Sequence, residues 1–134
     1  MTARLDDIGV CIGTLGPDPF EIAKDLPPVF AAIAAAGTTS ASIHSFLGML
    51  YGPDAVAGML ADAGLRAGAL EAALAWSKGP GADNLAEAEG IVAMAEATGA
   101  RKLLTVVLEP TMDEGAAVEG LAELSAAVAP AGVQ

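Results

Sequence analysis

The chain has 134 residues, enough for one domain with a hydrophobic core but short of the about 200 residues that a complete eight-unit β/α barrel needs. A net charge of −11 with only six Lys and Arg residues disfavours nucleic acid as a partner, because binding to a phosphate backbone relies on cationic side chains. No apolar run is long enough for a membrane span and no secretory signal begins the chain, so we expect no membrane partner and a cytoplasmic location.

The single cysteine, Cys11, lies in the first apolar run of the chain. One cysteine cannot form an intrachain disulfide or a multi-cysteine metal site. Cysteine in apolar surroundings usually packs as a small hydrophobic residue. We therefore predict that Cys11 is buried in the core.

An alanine-rich segment that ends in glycine recurs at intervals of about 30 residues, a length that suits one strand, one helix and two short loops. Glycine suits the end of a helix because the residue there often takes a left-handed conformation. The four glycines are Gly37, Gly64, Gly99 and Gly132.

Apolar runs between these junctions predict four strands. The fourth run is nearly all apolar, as expected for a parallel strand covered on both faces. The third run is weak, and its place in the repeat is what makes it a strand. The predicted strands cover residues 8–13, 39–46, 66–73 and 102–108.

Prolines locate the starts of the first two main helices. Pro27 and Pro28 would interrupt a helix over residues 19–36, so we predict a loop or short helical turn over residues 18–24 and the main helix over residues 26–36. Pro53 follows Gly52 and predicts the start of the next helix, where its missing N–H does no harm.

The last two helices carry capping boxes and apolar stripes. A polar residue with an acid three positions later, at Asn84 with Glu87 and at Thr111 with Glu114, predicts where each helix begins. The stripes at helical spacing are Leu85, Ala88, Val92 and Ala95, and then Ala117, Leu121, Leu124 and Val128. We expect the acids of these helices to lie on a solvated face: Glu87, Glu89, Glu96, Glu119 and Glu123.

Alternating strands and helices predict a parallel sheet, either an open doubly wound sheet or part of a closed barrel. The loop after the first strand, residues 13–17, lacks the third glycine of a dinucleotide-binding pattern, which disfavours the open nucleotide-binding sheet. We predict an α/β fold, the (β/α)4 half of a TIM barrel, as a single domain over residues 1–134. Because Gly132 repeats the helix-to-strand junction, we expect the chain to stop where a fifth strand would begin.

Functional groups of parallel β/α folds lie at the carboxyl ends of the strands. His44 and Glu71 lie near the ends of the second and third predicted strands, and Glu109 directly follows the fourth. An imidazole beside two carboxylates can bind a divalent metal or move a proton of a carbonyl substrate. For His44 a hydrogen-bonding role in the core is an equal alternative. The orientation of Glu71 depends on the strand register, since a shift of one residue turns it to the other face.

The loop after the third strand adds Trp76 and Lys78. Either side chain could cover or bind a polar ligand beside the strand ends. The alternatives are that the indole of Trp76 packs against the sheet and that Lys78 is simply solvated.

The chain resembles the N-terminal half of a sugar phosphate isomerase/epimerase of the xylose isomerase-like TIM barrel superfamily. The resemblance rests on the spacing of the strands and helices and on the glycine junctions between them, along nearly the whole chain. The stretches that carry it are residues 8–13, residues 40–44 up to His44, residues 63–66 leading to Trp76, and residues 93–103.

This resemblance implies a divalent metal (Mn, Mg, Co or Zn) held by carboxylates and a histidine of the later strands, which would follow Gln134. It therefore assigns no metal ligand and no catalytic residue to this chain. The residues similar to the pocket wall, and so the predicted substrate-binding residues, are His44, Glu71, Trp76 and Glu109.

The leading hypothesis is a truncated or split isomerase/epimerase that acts on a sugar or small polyhydroxy carbonyl compound and is inactive alone. Exposed sheet edges are templates for pairing, so self-association or pairing with another half is expected. The alternative is a non-enzymatic open-sheet module for binding or oligomerisation. A nucleotide-dependent enzyme is disfavoured, because no phosphate-binding loop is present.

Overall fold

The structure, a computed structural model, describes residues 9–16, 18–107 and 111–134. In this part of the chain four strands alternate with six helices. The strands are β1 Gly9–Cys11, β2 Ser40–His44, β3 Arg66–Ala73 and β4 Leu103–Thr105. The helices are α1 Pro19–Ile22, α2 Leu26–Ala35, α3 Leu47–Tyr51, α4 Pro53–Asp62, α5 Ala82–Thr98 and α6 Glu114–Val128, and short 3-10 helices lie at Ile12–Thr14, Ala75–Lys78 and Ala129–Ala131.

The strands form one sheet in the order β1-β2-β3-β4, and each neighbouring pair is parallel. This topology confirms the predicted (β/α)4 half of a TIM barrel. Strand β3 has the predicted bounds, whereas β1 ends at Cys11 because the next three residues form a 3-10 helix. Ile8 and Leu108, the outer residues of two predicted strands, lie outside the described residues.

The glycine junctions are confirmed. Each of the four glycines that were expected to end a helix has a positive φ, between 71° and 88°. A residue with a Cβ atom pays for this left-handed conformation, which explains why glycine recurs there. The four are Gly37, Gly64, Gly99 and Gly132.

The prolines act as predicted at the start of α2. The segment splits into the short α1 and the longer α2, with Pro27 and Pro28 in the first turn of α2, where their missing N–H groups are tolerated. Pro53 likewise begins α4.

The predicted caps of the last two helices are only partly right. Asp113, two residues after Thr111, caps α6 by accepting a hydrogen bond from the Ala116 N–H at 2.9 Å. Helix α5 begins earlier than predicted, at Ala82, so Asn84 lies inside it. Asn84 is buried and donates to the Gly120 carbonyl oxygen at 2.8 Å, a partner in another helix that a local sequence pattern cannot reveal.

Two of the acids expected on a solvated face have structural partners, so that part of the prediction is wrong. Glu87 accepts hydrogen bonds from the Leu74 and Ala75 N–H groups just after β3. Glu123 accepts from the Gly81 N–H at 2.9 Å and from Asn84. The other three acids, Glu89, Glu96 and Glu119, are exposed as predicted.

The core lies between the sheet and the helices, and its largest fully buried side chains include Phe30, Ile43, Leu70, Ile91 and Met94. The apolar stripes are partly corrected: Leu85 and Leu121 are exposed, and Ile91 and Met94 face the core of α5 together with Ala88 and Ala95. Asn84 lies on this same inward face of α5, where it donates to the Gly120 carbonyl oxygen. None of the described helices is long and apolar enough to cross a membrane.

Helix α6 packs directly on the 3-10 helix after β3, and Gly120 makes this approach possible. A Cβ atom at Gly120 would lie 2.2 Å from the Trp76 carbonyl oxygen and 2.8 Å from the Gly79 carbonyl carbon. Both neighbours are backbone atoms, which cannot rotate away as a side chain would. A side chain at this position would therefore push α6 away from the 3-10 helix that follows β3.

We expect Gly120→Ala to lower the free energy of unfolding by about 2 kcal/mol, a typical cost of overpacking a close contact. The matched control is Gly90→Ala in α5, where an added Cβ meets nothing within 4 Å. That change should raise stability by about 0.5–1 kcal/mol through helix propensity. Urea unfolding of both variants checks the pair, and equal effects at the two positions would contradict the packing described.

Candidate functional site at the strand ends

The sheet has two chemically different faces, because side chains alternate along each strand. One face carries Val10, Ala41, Ile43, Leu70 and Leu103 into the core. The opposite face carries small and polar residues and borders a cavity of about 600 Å³. Its lining includes Gly9, Ser40, Ser42, Gly68 and Leu104.

His44 and Glu71 lie at the carboxyl end of this second face. They are register partners across β2 and β3, so both side chains leave the sheet on the same side. Both residues are buried, at 9% and 8% exposure. The register thus brings together two of the residues that the sequence singled out.

Cys11 joins them from β1. Its Sγ atom donates a hydrogen bond to Glu71 Oε2 at 2.7 Å, across the width of β2. The prediction that Cys11 is a buried hydrophobic residue of the core is therefore wrong: its side chain is half-buried and takes part in the polar cluster. The rule that pointed to His44, a polar side chain at the carboxyl end of a strand, applies equally to Cys11 and could have found it.

Among the residues that the structure describes, the imidazole of His44 finds no hydrogen-bond partner at either Nδ1 or Nε2, although both atoms are buried. Burial lowers the pKa of His44 below its usual 6.5, and the nearby Glu71 carboxylate opposes this by raising it. The lowered pKa favours the neutral ring near pH 7. A neutral ring has one donor and one acceptor nitrogen, and here neither is used.

Gly13 allows the imidazole to approach the backbone closely. A Cβ atom on Gly13 would lie 2.8 Å from His44 Nε2 and 3.5 Å from Cys11 Sγ. The absence of a side chain at position 13 therefore leaves room for the ring itself, with the thiol beside it.

Aromatic rings form the other wall of the cluster. Phe46 stacks on His44 with ring centroids 5.2 Å apart and an interplanar angle of 18°. Phe20 packs on Phe46 at 5.0 Å and is itself exposed. These rings hold one face of the imidazole in an apolar setting, which accounts for part of its desolvation.

The other predicted substrate-binding residues are placed differently. Trp76 is buried, and its indole N–H donates to the Ala73 carbonyl oxygen at 3.0 Å. Lys78 is exposed at the end of the same 3-10 helix. Glu109 lies outside the described residues. Contact of Trp76 and Glu109 with a substrate stays a prediction.

A divalent metal is expected only for the complete barrel. In the ranges that the structure describes, no group of three or more His, Cys, Asp or Glu side chains is arranged to hold a metal ion. In the cluster, the Cys11 thiol instead shares its proton with Glu71. The described residues therefore do not form a metal site by themselves.

No protein-family model matches the sequence, and a comparison with curated proteins gives no significant match. Solved structures do match. A sugar phosphate isomerase/epimerase from Parabacteroides distasonis superposes with a TM-score of 0.67 at 17% identity, over 98% of this chain and 50% of that protein.

Two further structures agree. A xylose isomerase domain protein from Alicyclobacillus acidocaldarius gives a TM-score of 0.66 at 19% identity, over 94% of this chain and 48% of its own. A fusion of a xylose isomerase-like TIM barrel with a 4-hydroxyphenylpyruvate dioxygenase gives 0.65 at 22% identity, over 94% of this chain and 20% of the fusion.

The chain therefore has the fold of half of a TIM barrel, similar to the matching parts of these structures. The chain spans about half the length of the isomerase/epimerase and of the xylose isomerase domain protein that it resembles. At these identities the likeness is one of fold.

The single histidine of the chain makes the electrostatics of the cluster directly measurable. We expect the imidazole carbon-bound protons of His44 to titrate in NMR spectra with a midpoint below 6.5, because burial disfavours the charged ring. In Glu71→Gln the midpoint should fall further, since the carboxylate that favours the charged ring is gone. A midpoint that stays put or rises in Glu71→Gln would show that Glu71 does not act on His44.

Proposed function

We propose that the chain is the N-terminal half of a barrel of the sugar phosphate isomerase/epimerase kind and that its strand ends form a wall of the substrate pocket. The observation that carries this proposal is the buried imidazole of His44, which has two unpartnered nitrogen atoms beside a buried carboxylate. Unsatisfied buried polar atoms are costly, and a ligand is a natural partner for them. The substrate class is a sugar or a small polyhydroxy carbonyl compound.

The chemistry of the cluster suits such a compound. A neutral imidazole can donate to one oxygen and accept from a hydroxyl, which matches the alternating donors and acceptors of a polyol. A carboxylate such as Glu71 accepts a hydroxyl hydrogen bond or takes up a proton. His44 and Glu71 would thus bind and orient the substrate.

The reaction itself needs the other half. A divalent metal would supply charge stabilisation on the substrate oxygens in the complete barrel, and the later strands would hold it. Because this chain contributes only a wall of the pocket, we propose that it is inactive alone.

The β4 edge supports completion of the barrel by further strands. At the end of the chain, the Gln134 N–H donates to the Arg101 carbonyl oxygen at 2.9 Å, and the Gln134 carbonyl accepts from the Leu103 N–H at 2.8 Å. This is the hydrogen-bond pattern of a parallel pair, so residue 134 already lies where a fifth strand adds to the sheet. Exposed apolar side chains lie on and just after β4, at Leu104, Val106 and Val107, and on α6, at Val118 and Leu121. Leu121 lines a cavity together with Leu103 and Gln134.

A titration with a ketose phosphate, followed at the His44 imidazole signals, tests the binding role. We expect saturable shifts in the unmodified chain, together with no conversion of the sugar in the presence of Mn²⁺. Gly13→Ala should weaken binding at least about tenfold, since its methyl group would lie 2.8 Å from Nε2 and displace the imidazole.

Gly90→Ala is the matched control, because its added methyl group lies in open space. Inorganic phosphate alone should not reproduce the shifts. Shifts that are absent in the unmodified chain, or equally strong in Gly13→Ala, would refute the binding role. Turnover by the chain alone would refute its inactivity.

The pairing role is tested by the size of the isolated chain in solution. We expect a dimer or larger species by light scattering, because both sheet edges and the apolar surface beside β4 await a partner. Val118→Gln combined with Leu121→Gln should shift the chain toward monomer.

Leu85→Gln, an equally polar change at an exposed leucine of α5, serves as the control and should leave the size unchanged. If the unmodified chain is a monomer that unfolds cooperatively, the half-barrel proposal fails and a self-contained open-sheet module is favoured instead.

A further inference from the structure

We propose that Cys11 is a positioning residue: its thiol holds the Glu71 carboxylate and so keeps the His44 imidazole uncommitted for a ligand. The proposal rests on the proposed function only for the identity of that ligand. Its geometry and its test require no ligand at all.

Two neighbouring groups, the Cys11 thiol and the His44 imidazole, are placed to donate a hydrogen bond to Glu71. Glu71 is the register partner of His44 on the adjacent strand, and the two side chains emerge on the same face. A carboxylate so placed would ordinarily accept a hydrogen bond from the imidazole. Instead the imidazole has no partner, and Glu71 Oε2 accepts from Cys11 Sγ at 2.7 Å.

Glu71 nevertheless interacts with His44 through its charge. The carboxylate acts on the pKa of His44 by charge, without a hydrogen bond. Glu71 is therefore close enough to influence the ring and is held back from contacting it. Within the described part of the chain, the titratable groups that the recorded contacts place near the ring are Glu71 from β3 and Cys11 from β1. Phe46 and Gly13 also pack against it.

Gly13 brings the imidazole and the thiol together. A Cβ atom on Gly13 would lie 2.8 Å from His44 Nε2 and 3.5 Å from Cys11 Sγ, so both groups pack beside the same glycine. The thiol that holds Glu71 thus lies next to the ring. Without the S–H donor, Glu71 is released to bond His44 and to occupy a nitrogen that a ligand would need.

The test is the NMR titration of His44 in Cys11→Ala. Loss of the thiol should let Glu71 accept a hydrogen bond from the imidazolium. The midpoint of the His44 titration should then rise by about 1 pH unit relative to the unmodified chain, which is the low end of the effect of a close opposite charge. Cys11→Ser keeps a hydrogen donor on the same carbon and should restore a midpoint near that of the unmodified chain.

Two controls separate positioning from a merely structural role. Val10→Ala removes packing from the same strand on the opposite, core-facing side, and should lower stability without moving the His44 midpoint. In a Glu71→Gln background, Cys11→Ala should leave the midpoint unchanged, because the carboxylate that it would release is absent.

The proposal is overturned if Cys11→Ala does not raise the midpoint, if Cys11→Ser raises it as much, or if the rise persists with Gln at position 71. These outcomes are independent of the sugar titration. A failed sugar titration with the expected midpoints would remove the substrate assignment and leave the role of Cys11 standing.

Discussion

The parallel register between β2 and β3 is the constraint on which the rest of the site depends. It pairs His44 with Glu71 and, through the alternation of side chains, sends Ala41 and Ile43 to the helices. A slip of one residue would bury a carboxylate in the core and expose apolar side chains, which costs far more than the hydrogen bonds of the ladder return. The hydrophobic core therefore fixes the register, and the register places the polar cluster.

The two faces of the sheet have different roles. The helix side holds the packed core, with close approaches such as that of α6 to the 3-10 helix after β3 at Gly120. The other side carries glycine, serine and the Cys11, His44 and Glu71 cluster, and borders a cavity of about 600 Å³. In parallel β/α folds the carboxyl ends of strands carry function, and the cluster lies at that end.

Within the cluster, only one of the two buried groups has a hydrogen-bond partner among the described residues. Glu71 accepts from Cys11, whereas both ring nitrogen atoms of the buried His44 lack a partner there. Such an imbalance is costly in a protein interior, and a bound partner is a physical reason to retain it. Phe46 and the small residue at position 13 both pack closely against the imidazole. The likeness to isomerase/epimerase and xylose isomerase-like barrels shows the fold, and the chemistry of His44 and Glu71 supports the proposed substrate class.

The sequence by itself determined the order of strands and helices, the four glycine junctions and the half-barrel fold, because turn chemistry and hydrophobic runs are local signals. It also pointed to His44 and Glu71 through their position at strand ends. Only the tertiary structure decided which way Glu71 faces, that Cys11 donates to it, that Asn84 and Glu123 bridge α5 and α6, and that Gly120 admits a neighbouring backbone. The direction of Glu71 depends on its register partner His44, 71 − 44 = 27 residues away, and the other contacts join residues at least 36 apart. No local pattern encodes such contacts.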